Sequence, residues 1–250
     1  MTLYFVVAAG AVVAGFVQGL SGFAFGLVAM SFWVWAVDPK VAAALTVFGG
    51  LLGQLIAAFS VRRGFKLNQL LPFVLGGIAG IPVGVWLLPL VDANTFKIGL
   101  GVILLFWCPA MLFAQRIPKI SFGGRLADGV VGLAGGVLGG FGGFTGVIPT
   151  LWCVLRGFPR EEQRAIIQNF NLAMLLVTFA TYAATGLISR AALPLLALVI
   201  PAMLVPSLLG ARLYLGISEA RFKQVVLGLL TLSGVAMLVA SVPNVLGRLV

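Results

Sequence analysis

The placement of charge constrains this chain more than any other feature. Its 22 ionisable residues sit in short clusters, and between them run uncharged stretches at 2–37, 41–61, 67–91, 98–115, 129–155, 165–189, 191–211 and 224–247. A helix needs about 20 residues to cross about 30 Å of hydrocarbon. All but two of the stretches fit one crossing each. A soluble domain carries about 25% charged residues, whereas this chain carries 9%, with 61% hydrophobic. Such a chain cannot cover a water-facing surface, so lipid is its solvent. The expected fold is an all-α, multi-pass membrane helix bundle.

The stretches 2–37 and 129–155 behave differently. At 1.5 Å per residue the first would be a helix of about 54 Å, too long for one crossing. Its middle reads Gly15-Phe16-Val17-Gln18-Gly19-Leu20-Ser21-Gly22-Phe23-Ala24-Phe25-Gly26. The second carries nine glycines between Gly129 and Gly146. Glycine is a poor helix former that tolerates positive φ. Each stretch is therefore expected to be two helical arms joined by a break, near Gly19–Gly22 and Gly139–Gly143. Re-entrant hairpins and two full crossings remain open.

The basic residues test the count. Eight simple crossings would put 8 of the 16 Lys and Arg on each side, with no bias. If each glycine-broken stretch returns to the side it entered from, 12 of the 16 fall on one side. Cytoplasmic loops carry such an excess, which puts both termini outside. The net charge of +10 is thus read as topology rather than as a nucleic-acid footprint. The opening Met1-Thr2-Leu3-Tyr4 lacks a positive n-region and reads as the start of the first arm, not a cleaved leader.

The halves resemble each other. Gly15-(3)-Gly19-Leu20-Ser21-Gly22-Phe23 aligns with Gly136-(3)-Gly140-Phe141-Gly142-Gly143-Phe144 at an offset of 121 residues. Pro39-Lys40 matches Pro159-Arg160, Pro72 matches Pro194, and Gly84 matches Gly210. Phe96-Lys97 matches Phe222-Lys223 at an offset of 126. The expected organisation is a first repeat over 1–125 and a second over 126–250. Each is a broken hairpin (2–37 and 126–155) plus three spans. An odd number of crossings per repeat inverts one relative to the other, an architecture in which substrate sits at the midplane where discontinuous helices meet.

On these residues the chain resembles the sulfite exporter TauE/SafE family of membrane permeases. The resemblance rests on the glycine-rich segments Gly15–Gly26 and Gly132–Gly146, on Ala42–Thr46 and Ala165–Asn169 opening the next spans, and on the Gly-Ala-Arg-Leu stretch 210–213. Where family members often show a Gly-Thr-Ser-like step, this chain has Ala44-Leu45-Thr46 and Ile167-Gln168-Asn169. The resemblance implies a bacterial inner-membrane permease for small anions such as sulfite, sulfonates and related organic acids.

The residues themselves bound the chemistry. No ionisable group lies deep in a span, so neither a carboxylate proton relay nor a fixed counterion is expected. There is no His, and Cys108 and Cys153 sit singly in apolar runs. That leaves no cofactor, no metal site and little support for a membrane enzyme; the cysteines read as packing residues. An anion can instead use the unpaired N–H groups and positive dipole at the start of a broken helix's second arm. The expected substrate-binding residues at the breaks are Gly19, Ser21, Gly22, Phe23, Gly142, Gly143, Phe144 and Thr145. Thr46, Gln168, Asn169 and Asn171 are expected to add side-chain hydrogen bonds. The plain alternatives are helix packing for the glycines and interhelical hydrogen bonding for the polar residues. Gln54 is read as such a bond, Arg156, Arg160 and Arg164 as a solvated cytoplasmic loop, and the five tryptophans as including interfacial anchors. The partners expected are a small anion and the bilayer, not nucleic acid; a homodimer stays open. A secondary transporter is the first reading and an uncoupled, channel-like facilitator the alternative.

Overall fold

The computed structural model describes residues 2–22, 24–60, 64, 66–213 and 219–247. Among them all regular structure is helical. The order is α1 (Thr2–Ser21), α2 (Phe25–Trp33), α3 (Pro39–Ser60), α4 (Leu67–Leu87), α5 (Ala93–Phe113), α6 (Gly124–Gly142), α7 (Val147–Leu155), α8 (Arg160–Ala184), α9 (Leu193–Leu213) and α10 (Glu219–Leu246).

Seven segments are long and apolar enough to cross a membrane, and they contain α1, α3, α4, α5, α8, α9 and α10. The outer surface fits that setting. Phe59 is 91% exposed, Leu126 86% and Phe5 74%, which only lipid tolerates on this scale. The polar ends are built for water: α5 starts before its uncharged stretch because Asp92 caps it, accepting from Thr95 N at 3.0 Å. In the same way α8 begins at Arg160, with Glu161 and Glu162 in its first turn, where negative charge favours the helix dipole.

Each hairpin has unequal arms. α1 has 20 residues and α6 has 19, but α2 and α7 have only 9 each. Nine residues rise about 14 Å, less than half the hydrocarbon thickness. Neither short arm is long enough to cross, which excludes two full crossings per hairpin.

The long arms are held by close backbone contact. α6 packs along α4 and α1 along α9, while α5 packs on α10 and α3 on α8. On α4, Gly76, Gly80 and Gly84 face α6; on α6, Gly132, Gly136 and Gly140 face α4. A Cβ at Gly136 would stand 2.0 Å from the Gly77 carbonyl oxygen, and one at Gly84 2.0 Å from that of Val137. These three-glycine ladders, spaced by four, let the two backbones touch. The glycine content also explains why α6 is not among the span candidates. The α1–α9 seam is built on fewer glycines: a Cβ at Gly15 would lie 2.8 Å from Met203 O and one at Gly19 2.1 Å from Ser207 O.

Candidate functional site

Both breaks are made by one glycine in the left-handed region. α1 stops at Gly22, φ 80°, whose N–H donates to Gln18 O at 2.7 Å. α6 stops at Gly143, φ 79°, whose N–H donates to Gly139 O at 2.8 Å, and Phe144 N–H reaches back to Leu138 O at 3.2 Å. The Gly143 bond is the 5→1 bond of an αL cap. The helices run unbroken through Ser21 and Gly142, so each break lies at the C-terminal edge of the interval expected from sequence. Residues with a Cβ pay roughly 1–2 kcal/mol in this conformation, which is why glycine stands at both positions.

The first break is tied by amide side chains. Gln18 Oε1 accepts from Phe25 N at 3.0 Å, and Ser21 Oγ accepts from Ala24 N at 3.3 Å. The Gly22 carbonyl accepts from Gln54 Nε2 at 2.7 Å and from Gln18 Nε2 at 3.4 Å. Val28 N–H donates to Ala24 O at the start of α2. At the second break Thr145 Oγ1 donates to Asn171 Oδ1 at 2.9 Å, and Trp107 Nε1 donates to Val147 O at 2.5 Å. With Oδ1 engaged, what remains of the Asn171 amide is its pair of N–H donors.

The two breaks adjoin. A Cβ at Gly26, in the first hairpin, would lie 3.1 Å from the Gly143 carbonyl oxygen and 3.1 Å from Thr46 Cγ2. Each break is also touched by the span that follows the other half's hairpin. Thr46 on α3 stands 2.9 Å from where a Gly143 Cβ would be, and Gln168 Nε2 on α8 stands 3.2 Å from a Gly22 Cβ. Between them lies a cavity of about 20 Å³, room for a water-sized guest. Its walls include Gln18, Gly26, Gln54, Trp107, Thr145 and Asn171, and no wall residue carries a charge. Gln18, Gln54, Thr145 and Asn171 are each at least 98% buried. Thr46 is wholly buried, and its Oγ1 has no hydrogen-bond partner.

Of the residues expected at the site, Gly143, Phe144, Thr145 and Asn171 line the cavity. Gly22, Thr46 and Gln168 sit against the breaks, Ser21 caps the first, and Gly142 packs under the Phe144 ring. Phe23 lies outside the described residues. Gly19 is instead placed against Ser207 at the α1–α9 seam. Asn169 turns the other way, donating to Ala165 O at 2.9 Å and Gly64 O at 3.2 Å. The sequence reading missed Gln18 and Trp107, and it saw Gln54 only as an interhelical bond. That bond exists, and it ends on the carbonyl of the break glycine itself. Trp33 and Trp107 are interior residues that donate to backbone carbonyls rather than interfacial anchors.

A family model described as sulfite exporter TauE/SafE matches residues 7–237. The chain belongs to the sulfite exporter TauE/SafE family. Neither the curated proteins nor the solved structures compared with it contain a match. A TauE/SafE chain is a multi-pass membrane transport protein, and membership carries the expectation of anion export rather than of an enzyme. The seven membrane-length segments agree with that assignment.

Proposed function

We propose that this TauE/SafE protein is a secondary transporter that binds a small anion where its two broken helices meet. The preferred substrates are sulfite and sulfonates. One observation carries the reading: two helices interrupted at left-handed glycines adjoin around a buried, polar, uncharged cavity. The first turn of α2 supplies the positive end of a helix dipole, and the Asn171 amide supplies N–H donors. Gln18 and Gln54 hold the first break in shape, and Thr145 orients Asn171. Gln168 and Thr46 buttress the opposite breaks, and Thr46 keeps a hydroxyl free for substrate oxygen.

Two inverted repeats, 1–125 and 126–250, account for the exchange of partners, in which α1 packs on α9 and α6 on α4. Each long arm lies on the fourth helix of the other half. The bias of basic residues supports placement in a bacterial inner membrane with both termini outside. The cavity is water-sized as it stands, so admitting the anion requires the paired units to move apart around the site, as alternating access does.

The test is flux of labelled sulfite into proteoliposomes. Gly143→Leu should cut it by at least about tenfold, a barrier change of about 1.4 kcal/mol, while the protein still inserts in the membrane. Undiminished flux would remove the break from the site. A transporter saturates and shows countertransport of unlabelled sulfite, whereas an uncoupled facilitator shows neither.

A further inference from the structure

We infer that the site takes its anion in a singly charged form, hydrogen sulfite or a sulfonate, and rejects dianions. This rests on the reading that the cavity at the two breaks is the anion site. The argument comes from what surrounds the guest. Every wall residue is neutral, and the polar ones are amides, a hydroxyl and an indole. The attraction of an ion to such dipoles grows in proportion to its charge. The cost of stripping its water grows with the square of that charge. Going from one charge to two doubles the first quantity and quadruples the second. A site holding an Arg or Lys could offset the difference; this one offers only dipoles.

The titratable groups of the surrounding helices stand elsewhere. Cys108 follows Trp107 on α5, Cys153 lies on α7, and Tyr182 on α8 donates to Gly140 O at 2.7 Å. None of these lines the cavity. Lys40 on α3, Lys97 on α5, Arg125 and Asp128 on α6, Arg156 after α7, and Arg160, Glu161, Glu162 and Arg164 on α8 lie near helix ends. On α1 the one ionisable side chain is Tyr4, in the first turn at the end away from the break, and α2 carries none. A change in sulfite affinity with pH therefore reports the guest's own second proton, which titrates near neutrality.

The experiment is calorimetric or thermal-shift binding to the purified wild-type protein in nanodiscs, from about pH 6 to about pH 9. The probes are sulfite, methanesulfonate (singly charged throughout) and sulfate (doubly charged throughout). Sulfite should weaken by about tenfold per pH unit above its second dissociation, methanesulfonate should stay flat, and sulfate should not bind. Sulfate binding within about threefold of methanesulfonate, or sulfite affinity that ignores pH, overturns the inference while leaving the anion site standing. A methanesulfonate affinity that falls alongside sulfite's moves the titration to the protein and also overturns it. Binding of none of the three overturns the proposed site and the inference together.

Discussion

The two breaks reach one backbone shape by different chemistry. At Gly22 the turn is tied by side chains, with Gln18 from its own helix and Gln54 from α3 closing on the Gly22 carbonyl and on Phe25 N. Both glycines make the same backbone bond four residues back, Gly22 to Gln18 O and Gly143 to Gly139 O, and at the second break Phe144 N–H adds a backbone bond to Leu138 O. Their neighbours explain the difference. Gly139 stands at the equivalent of Gln18, and the Thr145 methyl lies 2.6 Å from where its Cβ would be. At the first break Gly53 on α3 makes room for Gln18, whose Cγ lies 2.8 Å from where a Gly53 Cβ would be. A left-handed glycine sets the geometry in both places, and the surrounding packing decides what reinforces it. The first break thus adds amide side chains to its backbone bond, and the second adds a further backbone bond.

The largest effect is expected at the α4–α6 seam. Gly136→Leu must separate α6 from α4, because its Cβ would meet the Gly77 carbonyl oxygen at 2.0 Å. Overpacking costs about 1–3 kcal/mol even in yielding cores, and backbone yields less. The variant should disappear from the folded membrane fraction in fluorescence-detected gel filtration. Gly15→Ala, at 2.8 Å from Met203 O in the seam with fewer glycines, should fold with a lowered melting temperature. Equal loss in both would end the distinction between the seams. Gly99→Ala, with nothing within 4 Å, serves as the silent control.

Next come the break glycines. Both Gly22→Ala and Gly143→Ala pay the left-handed penalty of about 1–2 kcal/mol. Gly143 pays more, since its Cβ would also press on Thr46 Cγ2 at 2.9 Å and Val47 N at 3.3 Å. Gly22 meets only the end of the Gln168 side chain at 3.2 Å. Sulfite flux at matched protein density should fall further in Gly143→Ala. The reverse order would show that the first break is the less forgiving.

Gln54→Leu sharpens the comparison from the other side. It leaves the Gly22 carbonyl with only the 3.4 Å bond from Gln18. A buried acceptor stripped of its partner costs about 1–3 kcal/mol, so the melting temperature should drop by several degrees. Thr145→Val at the second break removes a hydroxyl that no backbone cap depends on, and its drop should be smaller. Similar drops would mean that both breaks lean on side chains.

What was legible follows from what sequence encodes locally. Charges report where water is, so the spans and the two odd stretches could be read directly. A cluster of glycines reports that a helix ends, so the breaks were placed to within a few residues. Glycine does not say which of its two uses applies. Gly19 and Gly22 look alike in sequence, yet one lies against Ser207 and the other turns the chain. Polar residues carry no direction either. Gln168 and Asn171, three apart, share the face of α8 that meets the breaks, while Asn169, one residue on from Gln168, is rotated by about 100° toward Gly64. The sequence marks Gln54 only as an interhelical bond and does not single out Gln18, because a lone amide in an apolar helix names no partner. Theirs sit 4 and 32 residues away in the chain.

Thr46→Val is the smallest change in energy and the most discriminating. The hydroxyl is wholly buried at the junction of the two hairpins, and its Oγ1 has no partner there. Its methyl already fills the space beside Gly26 and Gly143. Valine keeps that methyl and removes a desolvated polar atom that costs about 1–3 kcal/mol when unsatisfied. If Thr46 were only packing, the variant would hold or raise the melting temperature and transport would be unchanged. If the hydroxyl waits for the substrate, the melting temperature still holds or rises, but sulfite affinity falls by about three- to tenfold, the value of one hydrogen bond. Stability and affinity moving in opposite directions would mark a group held unsatisfied for its ligand. Their moving together would assign Thr46 to the packing between the breaks.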